Sequence, residues 1–422
     1  MAVSLTVQVQ VSAIAHHNTL QRLTSSELRN LFSTSKMVKI VNILAALVAL
    51  LASVVGVFLN TSIPSKLGLY RYWASRKPEL TGMTPAFLEG VEWKYTFEEL
   101  YSKKLDGRTA VVTGASAGIG FATSHALAKL GAHVIMACRN PNKCQKKAEE
   151  IRDDLKTSSP QIDTMTIDTS SLKSVKKFTD DYRERFSGGE DNSSGGSLDM
   201  LFLNAGTAYG GENKTHPCVP LSEDGIEYVF ETNYLGHHLL YRLLEPYLQK
   251  GASKANPATV VQTSSAASFE SYSYRVATDL DTLNGCKEPV KKHRGDRSYG
   301  QSKLAQVVWV KELTKRLGED SGIIANAYHP GFVATEIFDK VQMPNMMKKI
   351  VRYFADNAAW NSLEGALTGL FLGVEGEKLV NDNIRGRYFH PIAIEVQNPL
   401  ADDEELQRKL WEFSESLIKE YI

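Results

Sequence analysis

The 422-residue sequence has no excess of either charge, with 48 Lys and Arg against 48 Asp and Glu. Nucleic-acid binding normally leaves a basic footprint, so the charge balance gives no support to a nucleic-acid partner. Cysteine is scarce: Cys138, Cys144, Cys218 and Cys286 lie scattered, without a C-x-x-C pair. They read as reduced thiols, which places the catalytic part in a reducing compartment, although four cysteines could still pair. The ten histidines lack metal-ligand spacing, so no metal is expected. Residues 1–36 contain one acid, Glu27, beside Arg22, Arg29 and Lys36, and are rich in Ser and Thr. That composition fits a targeting segment or a polar disordered tail.

A long apolar run, by contrast, is present. Ile40 to Leu59 carries no charge and one strongly polar residue, Asn42. Twenty such residues match the hydrocarbon core of a bilayer, and a transmembrane anchor helix is expected within 37–60. Lys36 and Lys39 flank one end and Lys66, Arg71, Arg76 and Lys77 the other, which leaves the orientation open. Residues 61–104, with Pro64, Pro78 and Pro85, read as a connector. Its Tyr70, Tyr72 and Trp73 suit either the membrane interface or packing on a domain.

From Leu105 to the C-terminus, short apolar runs alternate with helical stretches. Strands are expected near 108–113, 132–138, 163–168, 198–204, 258–264, 322–328 and 386–390. Helices are expected near 118–130, 141–156, 171–186, 223–249, 298–318 and 363–374. This alternation points to an α/β fold, a doubly wound parallel sheet with helices on both faces. Runs such as AVVTG and MLFLNAG are apolar without alternation, as strands covered on both faces must be. The stretch SGGEDNSSGGS (187–197) reads as a surface loop.

The first chemical signal is a strand running into Gly114, Gly118 and Gly120 and then a helix. Glycine lets backbone turn sharply and approach a pyrophosphate closely. The helix N-terminus offers N–H groups and a positive dipole end to phosphate. The spacing G-x-x-x-G-x-G is a variant of the G-x-G-x-x-G fingerprint. After the second strand, in VIMACRN, the place where an NAD site carries an acid holds Cys138, followed by Arg139. A guanidinium there suits the 2′-phosphate of NADP(H), although a solvated surface arginine would look the same.

The second signal is SYGQSK, with Tyr299 and Lys303 four residues apart on one helix face. An unperturbed tyrosine has a pKa of about 10. A neighbouring ammonium favours the tyrosinate, which makes Tyr299 a candidate general acid or base.

In their order along the chain, these motifs resemble the short-chain dehydrogenase/reductase superfamily from about Leu105 to the C-terminus. TGASAGIG (113–120) resembles its cofactor loop, assigning Gly114, Ser116, Gly118, Ile119 and Gly120 to the cofactor. Asp168 stands where the family contacts adenine, and Asn204, Ala205 and Gly206 form its NAG motif. The resemblance implies that Asn233 holds a water-linked proton relay with Lys303, that Ser265 is the catalytic serine, and that Thr335 in YHPGFVATE contacts the nicotinamide carboxamide. Asn233, Ser265, Tyr299 and Lys303 thus form the implied catalytic set, with Tyr299 and Lys303 also touching cofactor. TNYLGHHLLYRLL, the insertion between Ser265 and Tyr299, and DEELQRKLWEFSESL look like the retinol dehydrogenase and WW-domain oxidoreductase branch. No WW domain precedes the enzyme-like part, so a partner role carried by such modules does not transfer. Loop 207–220 is longer than usual and segment 276–297 carries the basic run Lys291-Lys292-His293-Arg294; both leave the substrate open.

The implied function is a membrane-anchored NADP(H)-dependent oxidoreductase of a lipophilic carbonyl or alcohol, with retinoid-like or steroid-like substrates leading. The expected place is a single-pass anchor in the endoplasmic reticulum or another organelle membrane, with the catalytic domain in the cytosol. Two alternatives remain: a ketoacyl or sterol ketone reductase, and a catalytically silent NADP-binding membrane scaffold. Lipid is an expected partner, and the oligomeric state is open.

Overall fold

The computed structural model describes residues 94–156, 159–186, 196–208, 219–253, 256–273, 276–285, 296–333 and 359–422. The expected anchor at 40–59, the loop 209–218, the basic run 291–294 and Thr335 lie outside the described residues. No helix among the described residues is long and apolar enough to cross a membrane.

Among the described residues a short helix, α1 (Phe97–Tyr101), precedes the sheet, capped by a Thr96/Glu99 box. Then β1 (Thr109–Thr113), α2 (Gly118–Lys129), β2 (His133–Cys138), α3 (Pro141–Asp154), β3 (Ile162–Thr166), α4 (Leu172–Phe186) and β4 (Met200–Leu203) follow. After β4 come α5 (Gly236–Gly251), β5 (Ala258–Thr263), a 3₁₀ turn (Ala266–Ser273), α6 (Asp296–Leu317) and β6 (Ile323–Tyr328). Helices α7 (Ser362–Val374) and α8 (Gly376–Asn381), strands β7 (Tyr388–His390) and β8 (Ile394–Glu395), and α9 (Glu404–Ile418) complete the chain.

The sheet order is β3-β2-β1-β4-β5-β6-β7-β8, parallel except for the last pair. Strand order therefore reverses between β1 and β4. In open α/β sheets ligands bind at such a point, beyond the carboxyl ends of the strands. The central strands β1, β4, β5 and β6 are buried on both faces, and the apolar β1 residues divide between two cores. Val111 faces Phe178, Leu239 and Val308 on the α4, α5 and α6 side. Ala110 and Val112 face Leu127 and Leu370 on the α2 and α7 side. The seven expected strands and the helices near 118–130, 141–156, 171–186, 298–318 and 363–374 are present within a few residues.

Three differences have physical reasons. The helix expected over 223–249 is interrupted: Leu221 bridges Glu227, Tyr228–Phe230 makes one α turn, and Glu231–Leu235 forms a π turn before α5. The apolar periodicity of the region spans these joints, so pattern alone conceals them. Second, the segment DEELQRKLWEFSESL, noted above only for its likeness, folds as the helix α9. Asp403 caps it, its side chain accepting from Leu406 N, and the helix packs on α5 and α6. There Tyr234 Oη lies 2.8 Å from Ser414 Oγ, and Trp411 packs edge-on to His238 at 5.0 Å. Third, Cys138 and Cys144 are not reduced thiols but a disulfide. The turn between β2 and α3 brings their Cα atoms to 5.9 Å, within bridging range, although they are six positions apart. The compartment inferred from reduced thiols loses that support.

Helix α7 lies very close to the sheet through three glycines on one face, at intervals of four. A Cβ on Gly365 would meet Val333 at 2.5 Å, one on Gly369 the Tyr328 ring at 2.7 Å, and one on Gly373 the Phe202 ring at 2.2 Å. Gly373→Ala should therefore destabilise by about 1–3 kcal/mol, the range for overpacking a well-packed core. Urea unfolding should show a lowered midpoint; an unchanged midpoint would contradict this close approach.

Candidate active site

The site begins at the end of β1. Gly114 and Gly118 take positive φ (67° and 51°), which L side chains rarely adopt. A Cβ on Gly120 would stand 2.5 Å from Asn204 Nδ2 and from Gly114 O, so the loop, the helix start and the NAG segment are in mutual contact. Asn204 Nδ2 donates to Thr113 O at 2.9 Å. The α2 N-terminus begins at Ala117, which has no capping side chain, and its first turn carries no acid. Its leading N–H groups and dipole thus meet no capping side chain and no acid of the helix's own first turn, which fits a dinucleotide phosphate. Ser116 and Ile119 are half-buried beside this turn.

Arg139 follows β2 directly, exposed, and donates to Tyr228 Oη at 3.2 Å. Asn140 caps α3 by accepting from Lys143 N, with Pro141 in the first turn. Asp168 lies two residues past β3 and is half-buried; its Oδ1 accepts from Ser170 N (3.0 Å) and Ser170 Oγ (2.6 Å), fixing the turn into α4.

Asn233 is fully buried in the π turn. Its Oδ1 accepts from Thr207 N at 2.7 Å, and its Nδ2 donates to Thr207 O and to Ser302 Oγ, both at 2.9 Å. The amide therefore grips the backbone just beyond Gly206 and the helix that carries Tyr299 and Lys303. A Cβ on Gly206 would lie 3.2 Å from Asn233 Oδ1 and 3.6 Å from Lys303 Nζ. The NAG segment, the asparagine and the lysine consequently share one spot.

Lys303 is almost wholly buried and donates from Nζ to Thr263 O at 3.0 Å. Burial pushes it down to about 7. Its ammonium stands 5.5 Å from the centre of the Tyr299 ring. Tyr299 is half-buried, on the accessible side of the same helix.

The two serines after β5 have different surroundings. Ser264 is buried and donates to Lys303 O at 2.7 Å, fastening α6 to the strand end. Ser265 is half-buried; its Oγ accepts from Ala267 N at 3.2 Å, and its carbonyl accepts from Tyr388 Oη at 2.9 Å. Tyr388 also lies within electrostatic reach of Tyr299.

Sequence reading misses Tyr388, Thr113, Ser302 and Gln306. Each works through hydrogen bonds whose partners are distant in the chain, and none stands out by residue type. Ser302 sits inside SYGQSK, adjacent to Lys303, and its place in that motif is the one signal that could have found it.

A family model described as short chain dehydrogenase matches residues 108–277. Retinol dehydrogenase 13 of Mus musculus is 33% identical over 318 residues, covering 74% of this chain and 84% of that protein. The chloroplastic short-chain dehydrogenase TIC 32 A of Brassica napus is 30% identical over 315 residues, covering 74% of this chain and 88% of its own length. Among solved structures, an uncharacterised protein from Mycobacterium paratuberculosis superposes with a TM-score of 0.53 at 28% identity, over 75% of this chain and 95% of that one.

The buried lysine leaves a stability signature. Below about pH 7 the folded and unfolded chains both carry its proton, and the penalty for burying the charge is complete. Between there and its ordinary 10.5 only the unfolded chain stays protonated, so the penalty shrinks as pH rises. Lys303→Met should raise the unfolding temperature near neutrality, and the gain should narrow toward high pH. Thermal melts of both proteins across that range check this; a loss of stability at every pH would contradict it.

Proposed function

The chain belongs to the short-chain dehydrogenase/reductase family of oxidoreductases, and on that premise we propose that it is a membrane-anchored NADP(H)-dependent enzyme of a lipophilic carbonyl or alcohol. The observation that carries the reading is the convergence of Asn233, Gly206, Lys303 and Tyr299 beyond the strand ends. Ser265 lies at the end of the neighbouring strand, held from behind by Tyr388. A bound nicotinamide supplies or accepts the hydride. Gly114, Ser116, Gly118, Ile119 and Gly120 would cradle its phosphates, Asp168 would face the adenine, and Asn204, Ala205 and Gly206 would line its path. The contact proposed for Thr335 rests on its motif.

In carbonyl reduction Tyr299 gives a proton to the substrate oxygen, and Ser265 Oγ donates a hydrogen bond to the same atom. Lys303, when protonated, favours the tyrosinate left behind. Asn233 keeps the backbone at Thr207 and the helix at Ser302 in register, so the lysine end of the relay stays open to proton return. Alcohol oxidation runs the same transfers backward.

Arg139 supports NADP(H) over NAD(H): the place of an acid holds Cys138, and the exposed guanidinium follows it. Anchoring through 40–59 would set the site beside substrates dissolved in lipid. Retinoid-like and steroid-like compounds lead, since relatives bear the name retinol dehydrogenase. We place the anchor in the endoplasmic reticulum or another organelle membrane, with the site on the cytosolic side where NADPH is supplied.

Turnover of NADPH by the detergent-solubilised full chain, against a panel of lipophilic and water-soluble carbonyls, tests this reading. Lipophilic compounds should be preferred. A charge-assisted hydrogen bond is worth about 1.5–3 kcal/mol, so Arg139→Ala should cut the NADPH-over-NADH ratio in kcat/KM by about tenfold or more. A wild type faster with NADH would overturn the cofactor assignment.

A further inference from the structure

His237 follows Asn233 by four residues, at the start of α5, and is buried to 1% exposure. Its two ring nitrogens reach the two halves of the site. Nδ1 lies 2.9 Å from the carbonyl oxygen of Asn233. Nε2 lies 3.0 Å from Thr113 Oγ1, at the root of the glycine loop.

Counting hydrogens fixes the direction of both bonds. A carbonyl oxygen only accepts, so Nδ1 carries the hydrogen. Thr113 Oγ1 already accepts the N–H of Asn204 at 2.8 Å and that of Ala205 at 2.9 Å. Both of its lone pairs are filled, and its single hydrogen points to His237 Nε2 at 3.0 Å or to Phe202 O at 3.2 Å. Burial holds the imidazole down at about 3; the bond to Asn233 opposes this and the Lys303 charge adds to it. The ring is therefore neutral at working pH, and Nε2 accepts from Thr113.

We propose that His237 is a positioning residue of the proton relay, tying the strand end that carries the glycine loop to the carbonyl of Asn233. This rests on the oxidoreductase reading of the site. Gln306 Nε2 donates to the same carbonyl from α6 at 2.6 Å. The Asn233 peptide is thus held from two sides, by the β1 end through His237 and by the lysine-bearing helix through Gln306. Both holds fall on a π turn, where the regular helix ladder is broken. Loss of such a donor loosens the hold on this peptide, and on the Asn233 amide that aligns Thr207 and Ser302.

The two ends of the link differ in what replaces it. Thr113 without His237 still has Phe202 O as an acceptor, so the cofactor loop keeps its shape. Asn233 O loses one of its two side-chain donors. Loss of His237 should consequently act on proton return rather than on cofactor affinity.

The test uses the full chain in detergent with two variants. His237→Phe fills the volume without hydrogen bonds, whereas the amide of His237→Asn stands near the position of Nδ1 and restores a donor to Asn233 O. His237→Phe should lower kcat about tenfold while KM and NADPH affinity stay within about twofold, and His237→Asn should recover most of kcat. Independently of activity, ¹⁵N spectra of histidine-labelled protein should show one ring, absent in both variants, protonated on Nδ1 only and not titrating between about pH 6 and 8. Equal kcat in wild type and His237→Phe, no recovery in His237→Asn, or a ring protonated on Nε2 would overturn the positioning role. A wild type that binds NADPH but reduces no carbonyl, with the ¹⁵N pattern intact, would instead remove the oxidoreductase reading, and the positioning role with it.

Discussion

Asn233 is fully buried, and a buried amide left unpaired costs about 1–3 kcal/mol for each group. Its own side chain cannot be satisfied by one neighbour. Oδ1 takes the N–H of Thr207, and Nδ2 serves Thr207 O and Ser302 Oγ. These bonds draw the segment after β4 onto the helix that carries Tyr299 and Lys303. The carbonyl of the same residue takes donors from His237 and Gln306. Five hydrogen bonds at one residue thus bind the β1 end, the NAG segment and α6 into a single unit. A partly satisfied network of this kind would be worse than an apolar core, which makes its completeness the condition for the rest of the site.

The sheet beneath is largely legible in the sequence because its signals are local and strong. Apolar runs such as AVVT and MLFL mark strands covered on both faces, and glycines or capping residues mark the turns between them. The parallel arrangement follows from the strand–helix alternation and the rule for crossovers. What stays hidden depends on contacts across long separations, the order of the strands among them. The π turn interrupts a pattern that reads as one continuous helix, and α9 gains its packing from partners such as Tyr234 and His238, some 180 residues away in the chain.

At the site itself, Tyr299, Lys303, Asn204 and Asn233 are legible through motifs, and their side chains or backbones meet around Gly206 and the α6 start. The residues that hold them there carry no such label. His237 lies within TNYLGHHLL, yet one histidine next to another in an apolar helix looks like packing. Only its two distances give it a direction. The cysteines mislead for a simpler reason: a six-residue separation is not a recognised pair, and the β2–α3 turn alone brings Cys138 to Cys144.

Isotope transfer reads most directly whether this constellation moves a hydride and a proton together. Full-length protein in detergent would be given NADPH carrying deuterium at both C4 positions and a lipophilic aldehyde, and the alcohol analysed by mass spectrometry. One deuterium should appear on the former carbonyl carbon for each cofactor oxidised. Tyr299→Phe should bind the cofactor but form this product about 10²–10⁴-fold more slowly, the usual contribution of a general acid. Product without the label, or a Tyr299→Phe enzyme as fast as the wild type, would contradict the assignment.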